Sequence, residues 1–297
     1  MPFLGEITAL LSSACWAGAS LVYATAGAGT RPVVLNMFKC GLAAALLVAT
    51  ACVVDGWGFW RVFGVDEAWA LVGSGLVGLT LADTLYFQTL KRLGARRTLL
   101  LPSLQAPLAA VLAACTLHES ITWAMLGGIA LTTAGVAWVV SERVRGGTQA
   151  PATFAGVALG VLAALGNASA NVLTKFGSAE HSALSVGAVR LAIGTVGLGV
   201  HLLLAGEGPA LVAVVRDRRL AVRLTGAMFL GTYLGIWLVS AAIRYAPASV
   251  ATTLSSTSPL FVLPLAVVFL RERVSVRAVL GTVLAIAGIA LLFARSP

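Results

Sequence analysis

The apolar residues of this chain fall into long runs, and most charged residues lie in the short connections between those runs. A helix needs roughly 20 apolar residues to cross the hydrocarbon core of a bilayer. The runs do not alternate with polar residues at every second position, which favours helices over a β-barrel. The pattern predicts ten transmembrane helices, at residues 4–26, 33–54, 69–90, 99–117, 121–140, 154–174, 184–205, 224–243, 250–270 and 276–293.

The composition identifies the solvent of this chain as the lipid bilayer. Hydrophobic residues make up 59% of the 297 residues and charged residues only 10%, and the mean hydropathy is +0.96. A soluble domain usually carries about 25% charged residues, so this chain cannot form a water-facing surface of that kind. We expect an all-α integral membrane protein.

The net charge of +9 does not indicate a nucleic-acid surface, because the arginines are scattered over many connections and do not form one basic patch. Their distribution along the chain instead indicates the membrane topology. Most of the basic residues follow the odd-numbered predicted helices, as do Lys91, Arg92, Arg96 and Arg97 after the third helix. By the positive-inside rule these connections face the cytoplasm. We therefore predict a multi-pass protein of the cytoplasmic (inner) membrane with both termini on the non-cytoplasmic side.

The second half of the chain repeats the first half. The stretch "LHESITWAMLGGIALTTAGVAWVV" aligns with "LRERVSVRAVLGTVLAIAGIALLF" at an offset of 153, and near the start of each half the offset is 151. Residues 1–145 then form one five-helix unit, 146–153 a linker and 154–297 a second unit. Because five is odd, the second unit enters the membrane from the opposite face. Inverted repeats of this kind are typical of transporters.

These motifs resemble a known family. The five-plus-five plan, the glutamates of "LHES" and "LRER", and the stretch "LADTLYFQTLKRLGARRTLLLPSLQAP" are similar to the EamA-type branch of the drug/metabolite transporter superfamily. The resemblance covers essentially the whole chain. It implies transport of a small metabolite or drug by alternating access, often driven by proton exchange.

Two opposite charges are predicted at a similar depth of the membrane. Lys39 lies about six residues into the second predicted helix and Asp83 about seven residues before the end of the third. Since these helices run antiparallel, a Lys39–Asp83 ion pair is geometrically allowed. Such a pair would spare each residue the cost of about 3 kcal/mol that a lone intramembrane charge incurs. A structural or gating pair and direct binding of substrate or protons by Asp83 are both open interpretations.

Arg190 is a third charge inside a predicted helix, at the repeat position of Lys39. The repeat position of Asp83 is Ile236, so the second half offers Arg190 no equivalent acid. Arginine stays protonated and needs carbonyls, water or an anion. One hypothesis is that Arg190 lines a wet central cavity and binds an anionic group of the substrate. The alternative is that its side chain reaches outward to the interface.

Polar and aromatic residues at helical spacing complete the candidate binding site. Trp16 and Ser20 in the first helix align with Asn167 and Asn171 in the sixth, and the eighth helix carries Tyr233 and Trp237. Facing stripes would enclose a substrate cavity between the two units. Hydrogen bonding between helices is the alternative use of such side chains.

A glycine motif also needs an interpretation. Gly73, Gly75 and Gly78 spell GxGxxG, but they lie in a predicted membrane helix and not between a strand and a helix. Close helix packing explains them better than a dinucleotide site. Glu119 and Glu272 each begin the last helix of a unit, and we interpret them as helix caps.

The function that these patterns favour is a secondary transporter, in the direction of export, for an amino acid, a related small anionic compound or a drug. Proton coupling through Asp83 is a further hypothesis. The expected partners are the bilayer, a small-molecule substrate and protons, with no cofactor and no metal. The alternative is an intramembrane enzyme or a flippase acting on lipid-linked substrates, which would require catalytic groups within reach of one another.

Overall fold

The structure of the chain is a computed structural model that describes residues 3–117, 123–141, 153–176, 181–245, 254, 257–270 and 275–293. Every regular element in these residues is helical. Six helices are long and apolar enough to cross a membrane, and three further apolar helices are shorter. The chain is therefore an all-helical multi-pass membrane protein.

We number the longer helices in chain order and name the shorter ones by their residues. The longer helices are α1 Leu4–Ala26, α2 Pro32–Val54, α3 Val65–Leu93, α4 Gln105–Leu117, α5 Trp123–Ser141, α6 Phe154–Phe176, α7 Ala183–Leu204, α8 218–245, α9 Ser258–Leu270 and α10 Val276–Phe293. The shorter ones are Phe59–Val62, Ala95–Thr98, Leu101–Leu104 and Gly208–Arg216.

The bounds differ from the predicted ones where local chemistry extends or shortens a helix. α3 begins at Val65, four residues early, because the carboxylates of Asp66 and Glu67 suit the partial positive charge of a helix N-terminus. The Gly64 N–H also donates to Glu67 Oε2 at 2.8 Å. α4 begins late, after a 3₁₀ turn that contains Pro102. Glu119 and Glu272 lie outside the described residues.

α3 and α8 each contain a π-helical segment near the middle of the helix. The segments are Gly75–Ala82 in α3 and Phe229–Leu234 in α8. At the repeat offset of 153, Gly78 of the first segment corresponds to Gly231 of the second. The two halves therefore share this backbone irregularity, and π-bulges in helices are frequent at functional sites.

The two halves interlock and do not stand side by side. α1 packs on α8 and α9 of the second half, and α6 packs on α3 and α4 of the first half in the same way. α2 packs on α7, its repeat equivalent, and α5 packs on α10. Each of these helix contacts made by one half therefore has an equivalent contact made by the other half, as a two-repeat architecture requires.

Contacts at both ends of α2 and α7 show that these equivalent helices run antiparallel. Arg31, just before α2, pairs with Glu207, just after α7, with Nη1 and Oε1 2.9 Å apart. At the other end, the Ser185 hydroxyl in the first turn of α7 donates to Asp55, just after α2. We call the side with Arg31 and Glu207 the odd face, because the connections after α1 and α7 meet there, and the side with Asp55 the even face.

Glycines bring α5 and α10 into backbone contact. A Cβ placed on Gly135 would lie 2.5 Å from the carbonyl oxygen of Gly281, and one on Gly288 would lie 2.8 Å from the carbonyl oxygen of Gly128. Gly128 and Gly135 correspond to Gly281 and Gly288 at the offset of 153. Between helices surrounded by lipid there is no hydrophobic driving force, so the close packing that small residues allow stabilises such a crossing instead.

Candidate functional site

The centre of the candidate site is an ion pair between two helices of the first half. The Lys39 ammonium group on α2 contacts the Asp83 carboxylate on α3. The side chains are only 10% and 18% exposed, respectively. Lys39 Nζ also lies 5.5 Å from the ring centroid of Phe87, where the π-face favours a cation. The structure therefore contains the Lys39–Asp83 ion pair that the sequence indicated to be geometrically allowed.

Asn36 fixes α2 against the π segment of α3, one turn from the ion pair. Its side-chain amide donates to the Leu79 carbonyl at 2.7 Å and to the Thr84 hydroxyl at 3.0 Å. The Thr84 hydroxyl in turn donates to the Thr80 carbonyl at 2.6 Å. The Leu79 and Thr80 carbonyls of the π segment therefore accept hydrogen bonds from neighbouring side chains, because no water is available to them inside a membrane. Asn36 was not among the residues predicted from the sequence, although its spacing of three residues from Lys39 places both on one helix face.

Aromatic rings from α1 and α3 surround the ion pair. Trp16 lies 5.8 Å from Tyr86, centroid to centroid, and Tyr23 lies 5.4 Å from Phe87 in an edge-to-face arrangement. Ser20 faces the Tyr86 hydroxyl. Of the polar stripe predicted on the first helix, Trp16 and Ser20 therefore do face the centre of the bundle. Tyr86 and Phe87 were not selected from the sequence, although they follow Asp83 by three and four residues.

Arg190 reaches the same region from the second half. Its guanidinium lies beside Gly78 of α3, since a Cβ on Gly78 would be 3.8 Å from Arg190 Nη2. Asp83 is close enough to interact with it electrostatically. Among the described residues, the buried Arg190 Nε has no hydrogen-bond partner. The side chain therefore points into the bundle and not outward to the interface.

The glycines of α3 make this approach possible. A Cβ on Gly75 would lie 2.8 Å from the Arg190 carbonyl oxygen, and one on Gly78 would lie 2.7 Å from the Ala170 Cβ. Gly73 faces Leu173 in the same way. The GxGxxG motif is thus a packing surface for α6 and α7, as predicted from its position in a membrane helix.

The remaining candidates divide into those near the centre and those away from it. Asn167 on α6 is half-buried beside Gly78, and its amide donates to the Ala163 carbonyl at 3.2 Å. The Tyr233 hydroxyl on α8 lies 2.9 Å from the Thr50 hydroxyl of α2. Asn171 and Trp237 are exposed. Of the pairs Asn167/Asn171 and Tyr233/Trp237, one member therefore packs inside the bundle and the other is exposed.

A large cavity lies away from this polar cluster. It is an apolar groove of about 980 Å³ between α3 and α7, open on the outer surface of the bundle and lined by Leu76, Thr80, Val196, Val200 and Leu204 among others. An open apolar groove on a membrane helix pair is a lipid-facing surface. Since the polar groups converge around Asp83, we place the candidate substrate site there. No three potential metal ligands cluster within the described part of the chain.

Comparisons with known proteins apply to nearly the whole chain. The model of the EamA-like transporter family matches twice, over residues 3–141 and 154–294. No curated protein matches the chain. A solved structure titled "Crystal structure of protein" is 19% identical, and the match covers 97% of this chain and 95% of that chain with a TM-score of 0.64. At that identity, the similarity shows a shared fold alone.

Proposed function

The chain belongs to the EamA-like transporter family, and on that basis we propose that it exports a small anionic metabolite through the site around Asp83 by alternating access. Membrane transport follows from the family itself. The proposal is the substrate class, which we take to be an amino acid or a related carboxylate, and the residues that bind it. Drugs that carry an anionic group fit the same description.

The observation that supports this substrate class is the charge of the buried cluster. Lys39 and Arg190 bring two positive charges to the site and Asp83 brings one negative charge. A buried cation is costly unless it is paired and hydrogen-bonded. Arg190 lacks a partner at Nε, so a planar anionic group such as a carboxylate would complete its hydrogen bonding. We therefore assign anion binding to Arg190 and the supporting charge to Lys39.

The depth of the three charges supports a central site. Lys39 lies seven residues from the start of α2 at the odd face and Arg190 seven residues from the start of α7 at the even face, or about 10 Å in each case at 1.5 Å per residue. Asp83 lies ten residues, about 15 Å, before the end of α3. The cluster therefore spans the middle of the membrane between the two halves, where inverted-repeat transporters bind substrate.

Other side chains would complete the recognition of the substrate. Trp16 and Ser20 on α1 and Asn167 on α6 come from opposite halves and lie next to the charged residues. Tyr233 contributes a hydroxyl near α2. Asn171 and Trp237 would require a conformational change to take part. Asp83 is our candidate for proton coupling, because protonation would release Lys39 from the pair.

The membrane topology is part of the proposal. Ten crossings, with residues 1–145 and 154–297 as inverted units, would place both termini on the non-cytoplasmic side of the cytoplasmic membrane. The antiparallel course of α2 and α7 supports the inversion. Lys91 and Arg92 in the last turn of α3, together with the arginines after α7, support a cytoplasmic odd face.

The test is uptake of labelled amino acids, carboxylates and organic cations into proteoliposomes, with and without a pH gradient. Arg190→Ala is compared with wild type and with Arg61→Ala, an exposed arginine of the even face. We expect carboxylate or amino-acid flux in wild type and Arg61→Ala and at least a tenfold loss in Arg190→Ala. Cation flux that survives in Arg190→Ala, or no flux of any compound, would contradict the proposal.

A further inference from the structure

The connection between α7 and α8 contains an ordered, mostly apolar helix that ends in an arginine on the odd face. Gly206, with φ of +65°, turns the chain after α7 and leads into the helix Gly208–Arg216. Val214 of this helix is buried, whereas Val212 and Val215 are 48% and 57% exposed. The described residues of the protein therefore leave an apolar strip of this helix uncovered at the edge of the membrane.

Four arginines lie at the end of this helix and in the first turns of α8. Arg216, Arg218, Arg219 and Arg223 are all exposed. The acid among them, Asp217, is used as a helix cap, because its Oδ1 accepts the backbone N–H groups of Arg219 and Leu220, each at 3.1 Å. The result is a concentrated positive surface directly beside exposed valines. We call Val212, Val215 and these four arginines the arginine surface.

The internal repeat provides a comparison within the same molecule. At the offset of 151, the segment 208–223, which holds all four arginines, corresponds to 57–72, which runs from the connection between α2 and α3 into the first turns of α3 on the even face. That segment exposes Trp57 and Trp60 and carries a single arginine, Arg61. Tryptophan is found at both membrane interfaces, whereas clustered arginines favour a leaflet with anionic lipid. Equivalent positions on opposite faces therefore carry different chemistry.

We propose that the arginine surface binds the headgroups of anionic phospholipids. The exposed valines would enter the region where headgroups meet acyl chains, and the arginines would pair with the lipid phosphates above them, as in interfacial amphipathic helices. A topology signal alone requires positive charge in a connection, but it requires neither an ordered helix nor an apolar strip beside the charges. This inference does not depend on the transported substrate.

The test measures thermal unfolding of the purified full-length chain in a neutral detergent. Phosphatidylglycerol, phosphatidylcholine or inorganic phosphate is added to wild type, to Arg218→Gln/Arg219→Gln and to Lys91→Gln/Arg92→Gln. The last variant removes the same charge from the last turn of α3, which also ends at the odd face, and is the matched control. A second pair, Arg216→Gln/Arg223→Gln, replaces the first variant if that variant does not fold.

We expect phosphatidylglycerol to raise the Tm of wild type and of the control variant by about 3 °C or more above the effect of phosphatidylcholine. The difference should disappear in the variant of the arginine surface. An equal effect of phosphatidylglycerol in all variants, or no effect in wild type, would overturn the proposal. Stabilisation by inorganic phosphate alone would also overturn it, because the site would then bind free anions and not lipid.

Discussion

The ammonium group of Lys39 on α2 contacts the carboxylate of Asp83 on α3, inside a membrane protein and largely shielded from solvent. Each charge alone would be expensive at that depth. The pair therefore stabilises the packing of α2 on α3 while it keeps an acid available in the middle of the bundle.

The first prediction concerns the coupling between these two residues. Lys39→Met leaves the Asp83 carboxylate buried without its cation, and we expect a loss of about 3–5 kcal/mol in unfolding free energy. Lys39→Met combined with Asp83→Asn removes both charges and should recover most of that loss. The measurement is denaturant unfolding in detergent, evaluated as a double-mutant cycle.

The pair Arg31–Glu207 is the comparison for this cycle. Its Nη1 and Oε1 are 2.9 Å apart; the Glu207 side chain is 13% exposed, but that of Arg31 is 67% exposed. Because solvent screens the attraction of the exposed Arg31, Arg31→Gln should cost clearly less than Lys39→Met. Equal effects at the two pairs would mean that Lys39 and Asp83 do not stabilise each other.

The second prediction concerns Gly78, where α6 approaches α3. Gly78→Ala would place a Cβ 2.7 Å from that of Ala170. Both are fixed by helix backbones, so we expect a loss of about 1–3 kcal/mol in unfolding free energy, as for other overpacked positions. Gly18→Ala in α1 is the control, since nothing lies within 4 Å of its added Cβ. That variant should gain up to about 1 kcal/mol from helix propensity.

The third prediction concerns the two hydrogen bonds of the Asn36 amide to α3. Asn36→Leu leaves the Leu79 carbonyl and the Thr84 hydroxyl without this donor, and we expect a loss of about 1–2 kcal/mol in unfolding free energy. Tyr233→Phe removes a single contact to Thr50, which is partly exposed, and should cost less. Thermal unfolding of both variants in the same detergent tests the order. A larger loss in Tyr233→Phe would contradict it.

The sequence was sufficient to predict the features that depend on one helix or on two consecutive helices. The membrane class followed from composition, and the repeat followed from the constant offset between the halves. The possible Lys39–Asp83 contact followed from two lone charges at a similar depth on consecutive antiparallel helices. In each case the relevant partners are close in sequence or related by the repeat.

Features that depend on packing between the halves could not be predicted in this way. The spacing of Asn167 and Asn171 placed both on one side of a helix, but it did not indicate that Asn171 is exposed. The approach of Arg190 to α3 depends on which helices of the two units meet, and the repeat alone does not specify that. The π segments depend on a shift in backbone hydrogen bonding that side-chain periodicity does not record.

The last prediction separates stability from transport at Arg190. This side chain is a half-buried cation whose buried Nε has no partner among the described residues, so the folded state bears a desolvation cost there. Arg190→Met keeps much of the apolar stem and removes the charge, and we expect the unfolding free energy to stay equal or to rise. Carboxylate flux should nevertheless fall at least tenfold, because the group that we assign to anion binding is gone. Unfolding in detergent and flux in proteoliposomes are measured on the same preparation. A strongly destabilised variant would show that Arg190 has a structural role, and a stable variant with full flux would show that the anion binds elsewhere.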